Sequence, residues 1–203
     1  TISLELKVSS QISKINFDID NSSIELIEKS FKRIATELIN EVEINFYGNI
    51  YQIMDLEFYY YNFGIHQDCN IHFNERQADS NQWYLHKNSL NLGNKRKGID
   101  LTFGKNVNSD NKIYGGILIK KVQKIFPNKL LTQSMFINSL IKKFKTHHKE
   151  HTFDLFKESI DNELKLEKKS EISNFKIKNK VRARLSKPCY KNSNYSFYID
   201  NIL

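Results

Sequence analysis

The residues best suited to chemistry lie in one aromatic run, Ile53-Met54-Asp55-Leu56-Glu57-Phe58-Tyr59-Tyr60-Tyr61. Read as a strand, its alternation puts Asp55, Glu57 and Tyr59 on one face and Met54, Leu56, Phe58 and Tyr60 on the other. A carboxylate among aromatics is costly to bury alone, so Glu57 is either solvated on a half-exposed face or held there by a partner. Shortly after comes Asp68-Cys69-Asn70-Ile71-His72, a D-x-x-x-H spacing placed to return to the strand's end. A strand glutamate beside a loop histidine is an acid–base or orienting arrangement. The same stretch offers His66, Asp68 and His72 as H-x-D-x-x-x-H, residue types that ligate metals, so a metal-dependent nuclease or hydrolase is one alternative. Against it, a nuclease pairing Asp100 with an acidic-x-Lys strand lacks its second carboxylate. The residues two before Lys120 and Lys121 are Leu118 and Ile119.

The elements that must position these residues read as an α+β domain. Ser22 and Glu25 form a capping-box pattern ahead of Ile24, Ile27, Phe31, Ile34 and Leu38, whose 3.6 periodicity predicts a helix to Asn40. Strands are expected at 42–47 and 50–61 with a Gly48-Asn49 turn between them, then at 83–86, 99–103, 116–122, 175–185 and 195–199. Residues 62–82 lack periodicity and read as a long loop. After Pro127, two more helices are expected, over 131–149 and 152–168. With no repeat and no Gly/Ser/Pro linker, the expectation for 1–203 is one domain, a mostly antiparallel curved β-sheet flanked by helices.

In order, these pieces resemble the alkyladenine (3-methyladenine) DNA glycosylases. That family has a Glu-x-Tyr strand, here Glu57-Phe58-Tyr59, then a D-x-x-x-H loop, here Asp68 and His72. Trp83-Tyr84-Leu85-His86 is similar to its following aromatic strand. Asp100, in Gly98-Ile99-Asp100-Leu101-Thr102-Phe103-Gly104, falls where the family holds a pocket Asn. Gly116-Ile117-Leu118-Ile119-Lys120-Lys121-Val122 resembles its V-L-I-R-A strand, with Lys120 in place of the Arg. The resemblance covers about residues 25–125. The family's R-x-P-R-N element is absent, and Tyr84, His86 and Leu92 compete for the place of its wedge tyrosine.

The resemblance implies a monofunctional N-glycosylase that extrudes a damaged or modified base from double-stranded DNA and needs no metal or other cofactor. Glu57 would polarise a water toward the anomeric carbon, and Lys120 would hold that water or the adjacent phosphate. Tyr59 would stack on the base, with His72 and Tyr84 as neighbours, and His72 would join the catalytic set by bonding the sugar-phosphate or the flipped base. Asp68 would orient His72, while His86 and Asp100 complete the pocket. The second alternative is a non-catalytic DNA-binding module of the same fold.

Composition bounds these readings. Lys and Arg number 31 against 23 Asp and Glu, a formal charge of +8 that suits a polyanionic partner. Aromatic content of 12% and hydrophobic content of 39% exclude wholesale disorder. Lys95-Arg96-Lys97, Lys120-Lys121, Lys142-Lys143 and Lys178 to Arg184 are basic patches interleaved with aromatics, suited to phosphates and stacked bases. No apolar run is long enough to span a bilayer, and no signal peptide is visible. Cys69 and Cys189 form no CxxC and read as unpaired thiols. The expectation is a monomeric cytoplasmic protein with no membrane partner.

Overall fold

The computed structural model describes residues 15–86, 97–108 and 111–200. The apolar lead Ile2 to Val8, Lys95-Arg96 and Leu92 lie outside them. Helix α1 spans Ile24–Asn40, and its apolar stripe is buried from Ile27 onward, with Ile24 in the first turn exposed. Its cap is Ser23 rather than Ser22: the Ser23 hydroxyl accepts from the Leu26 amide at 3.2 Å, while Glu25 pairs with Lys29 instead of reaching back. Strand β1 (Val42–Phe46) turns into β2 (Asn49–Asn62) through Tyr47 and Gly48, both left-handed at φ 48° and 78°. Two positive-φ central residues suit the twist of a hairpin, and a glycine takes one of them without strain.

The predicted loop is more ordered than its composition suggests. It holds a short strand β3 (His66–Gln67), a 3-10 turn at Glu75–Ala78 and the start of β4 (Ser80–Leu85). Next come β5 (Ile99–Phe103), β6 (Lys105–Asn108), β7 (Asn111–Lys124) and β8 (Lys129–Thr132). Helices α2 (Gln133–His147) and α3 (Phe153–Glu163) follow. The helix expected over 152–168 stops at Glu163, and Leu164–Lys168 is strand β9. Leu164 stands at a helical spacing from Ile160 and also alternates with Leu166 at a period of two, and the edge of β1 decides between them by pairing with β9. The strand expected over 175–185 shrinks to β10 (Ile177–Lys180), and β11 (Ser196–Ile199) is the last.

The pairings are antiparallel throughout, along a path β10-β11-β2-β7-β5-β4. The helices and one face of this curled sheet enclose a single core. Phe31 stacks on Phe58 at 4.7 Å, and Phe136 meets Tyr51 edge-on at 5.1 Å. Leu118, Tyr84 and Ile71 are buried but stand outside that core, under the opposite face. The chain is therefore an α+β single domain. Among the described residues no helix is long and apolar enough to cross a membrane.

Cys69 and Cys189 are not free thiols: they form a disulfide, with Cα atoms 5.7 Å apart across 120 residues of sequence. A spacing rule cannot see a pair so distant in the chain, and the bond removes any basis for reading a reducing compartment from the cysteines. Replacing both cysteines with serine is expected to cost about 2–5 kcal/mol of unfolding free energy. Urea denaturation would show it as a lowered midpoint, and an unchanged midpoint would contradict it.

Candidate functional site

Strand register brings the site together. Tyr84, Asp100, Leu118, Glu57, Ser196 and Lys180 lie opposite one another on β4, β5, β7, β2, β11 and β10, a single row across the sheet. Directly opposed residues share a face, so this row and its diagonal neighbours form one surface. The expected division of β2 holds: Phe58 and Tyr60 enter the helix-covered core, whereas Glu57 and Tyr59 meet each other on the far side.

Glu57 is only 2% exposed. Its carboxylate is held by two groups: the Tyr59 hydroxyl donates to Oε2 at 2.9 Å, and the Lys120 ammonium lies 3.1 Å from Oε1. Burial, and then the charge of Glu57, push the Tyr59 phenol far above its ordinary value, so it stays a donor at every working pH. Lys120 reaches Glu57 where the β2–β7 register slips between Asp55 and Leu56. Such irregularities re-aim a side chain that a regular ladder would fix elsewhere. Asp55, one turn of the pleat away, pairs with Lys180 at 3.2 Å. Its own burial raises the carboxyl even so.

Beside Tyr59 opens a cavity of about 170 Å³, walled by Asn70, His72, Gln77, His86, Asp100 and Leu118 together with Arg184, Leu185 and Ser186. Asp100 has both carboxylate oxygens engaged: His86 Nε2 at 2.8 Å on one and the Gln77 amide at 3.0 Å on the other. Gln77 arrives on the 3-10 turn, where Asn74 and Gln77 form a reciprocal capping box. That turn docks only because Gly104 and Gly116 carry no side chain. A Cβ on Gly104 would lie 1.9 Å from the Gln77 carbonyl, and one on Gly116 would lie 2.8 Å from its amide nitrogen. His72 meets the Tyr84 hydroxyl at 3.3 Å and the edge of the His86 ring, centroids 4.5 Å apart. Burial and the neighbouring His86 depress His72, leaving it neutral. Burial also pushes the Tyr84 phenol up to about 12.

His86 goes the other way. Burial alone would lower its value, but the charge and hydrogen bond of Asp100 outweigh burial and raise it. A raised imidazole contributes stability fully present below its ordinary 6.5 and lost as pH rises through the elevated value. The melting-temperature gap between wild type and His86→Gln should thus be widest at mildly acidic pH and close toward alkaline pH. A gap that grows with pH would contradict the pairing.

Two expected roles change. Asp68 does not orient His72. It is fully buried and forms an ion pair with Arg182, whose side chain is equally buried. Arg182 in turn donates to the Phe58 carbonyl at 3.0 Å and lays its guanidinium 4.6 Å above the Tyr59 ring. It stood in the basic run 178–184 expected to face phosphate, yet it is a structural cation inside the protein. The H-x-D-x-x-x-H pattern is likewise taken apart. His66 uses its ring nitrogens on the Tyr60 carbonyl at 2.8 Å and the Tyr195 hydroxyl at 2.9 Å. Among the described residues no three His, Cys, Asp or Glu side chains converge as a metal site.

No family model matches the chain. It is similar to a mimivirus protein. That relative, uncharacterized protein L759 of Acanthamoeba polyphaga mimivirus, is 30% identical over 132 residues, 60% of this chain and 61% of its own length.

Glu57, Tyr59, His72, Tyr84, His86, Asp100 and Lys120 gather around one face. Glu57 is not part of the cavity wall: it is bonded to Tyr59 and opposite Leu118 in the ladder, both of which line the cavity. Sequence reading missed Gln77, although its N-x-x-Q spacing from Asn74 is a visible capping signature. It also missed Arg182, which carries no local signal distinguishing it from the lysines around it.

Proposed function

We propose that this protein is a DNA glycosylase, with a fold of the alkyladenine-glycosylase kind, that removes a damaged or modified base from double-stranded DNA. The observation that carries the reading is the buried Glu57 carboxylate, fixed between Lys120 and Tyr59, whose ring lines a polar cavity with His72 and His86. An extruded nucleotide enters the cavity against Tyr59, with its base edge toward His72, His86 and Asp100. Glu57 takes a proton from a water as that water's oxygen bonds to the anomeric carbon. The N-glycosidic bond breaks with its electron pair going to the base, the Glu57 charge stabilises the cationic sugar between the two events, and the proton taken from water ends on the departing base or, where alkylation had made the base cationic, in solvent. Lys120, 3.1 Å from Oε1, keeps the Glu57 carboxylate aimed. Tyr59, always protonated, fixes the second oxygen.

The decisive experiment is mass spectrometry of free bases released from alkylated, deaminated and phage-modified duplex DNAs. Release of any one of them, with an abasic site left behind, supports the reading. One observation favours a second reading, a module of the same fold that binds a modified base without cutting: Glu57 is buried and does not line the cavity. Tight binding to such DNA with no abasic product would select it.

A further inference from the structure

Among the described residues, the charges of the site pair off and leave a single cation over. Glu57 is matched by Lys120, Asp55 by Lys180, Asp68 by Arg182 and Asp100 by His86. His72 is neutral. Arg184 lines the cavity, is exposed, and has no hydrogen bond or ion pair among the described residues. Its backbone is left-handed at φ 60°, a conformation that costs a non-glycine residue energy and persists only where the surroundings impose it.

The surroundings do impose it. The segment from Arg182 to Tyr190 is pinned at several points to the loop whose Asn70 and His72 also line the cavity. Arg182 is tied to Asp68, Cys189 is bonded to Cys69, and Asn70 accepts from the Lys187 amide at 3.0 Å while donating to the Cys189 carbonyl at 2.9 Å. A lone surface arginine is ordinarily a solvated one. This one is set on a strap fastened to the loop beside it, the only uncompensated charge in the cavity lining among the described residues.

We propose that Arg184 clamps a phosphate of the extruded nucleotide, so that the site recognises a nucleotide within a strand rather than a free base or nucleoside. This rests on the glycosylase reading and deepens it. The planar guanidinium presents two parallel donors to phosphate oxygens, a geometry that lysine cannot reproduce. The clamp holds the sugar-phosphate at the rim while Asp100, His86 and His72 meet the base inside.

The test is equilibrium binding to a duplex carrying an abasic analogue, either with normal phosphates or with a neutral methylphosphonate at the 5′ or the 3′ side of the analogue. Arg184→Gln is expected to weaken binding to the normal duplex by roughly tenfold to a hundredfold. It should also reduce the salt dependence by about one released counterion. On the duplex whose contacted phosphate is neutral, wild type and Arg184→Gln should bind alike. Arg184→Gly, which relieves the backbone strain, should show the same binding loss with no loss of thermal stability. A variant that binds the normal duplex like wild type overturns the clamp, as does a defect of equal size on both methylphosphonate duplexes. Wild type that shows no preference for the abasic duplex over intact DNA overturns the glycosylase reading itself, so the two failures are distinguishable.

Discussion

Glu57→Gln is expected to lower base release from modified duplex DNA by roughly a hundredfold to ten-thousandfold, the range that a positioned acid–base group supplies. The substitution keeps the shape and leaves an oxygen to accept from Tyr59, so the fold should survive. Lys120 loses its counter-charge, but its side chain is 27% exposed and can turn to water. Single-turnover release assays read the effect, and a melting curve near that of wild type separates lost chemistry from lost structure. Release at the wild-type rate would remove Glu57 from the mechanism. Lys120→Met should give a smaller loss, because it removes the group that aims the carboxylate and leaves the carboxylate itself.

The second large effect concerns stability. Arg182→Ala leaves the Asp68 carboxylate buried without its cation, uncovers the Tyr59 ring and strips a donor from the Phe58 carbonyl. Removing one partner of a buried pair costs about 3–5 kcal/mol, most of it the penalty of the stranded charge. Urea unfolding of Arg182→Ala and of the paired replacement Asp68→Leu with Arg182→Met tests this. The paired variant should recover much of the loss, since it strands no charge. A loss below about 1 kcal/mol in Arg182→Ala would mean that the pair is solvated after all, as exposed pairs are.

What could be read in advance depended on how local its cause was. Helix α1 and the two faces of β2 were legible because a repeat of 3.6 or of two is written in consecutive residues: Phe31 and Phe58 met, and Glu57 and Tyr59 shared a face, as the alternation required. Leu164 was ambiguous because five residues can satisfy both repeats, and only the edge of β1 resolved it. The partners of Asp68 and Cys69 were not legible at all. They lie 114 and 120 residues away, and nothing near either end announces the other. The basic run ending at Arg184 misled for the same reason. Composition gave its charge, but burial divides it into exposed lysines, one internal arginine and one arginine at the cavity mouth.

Those long separations also set a sequence in time. Strand β2 is made early, yet its neighbours β7 and β11 are synthesised long after it. As the chain emerges, Glu57 waits for Lys120, Asp68 waits for Arg182, and the far wall of the cavity does not exist until the segment around Cys189 has arrived. Contacts between such distant positions close slowly because the loop between them must be ordered first. The site is thus completed near the end of folding rather than growing around a preformed strand. A chain cut anywhere between α3 and Arg182 would keep most of its helices and sheet while lacking the strap, the cation under Asp68 and one side of the strand that carries Glu57.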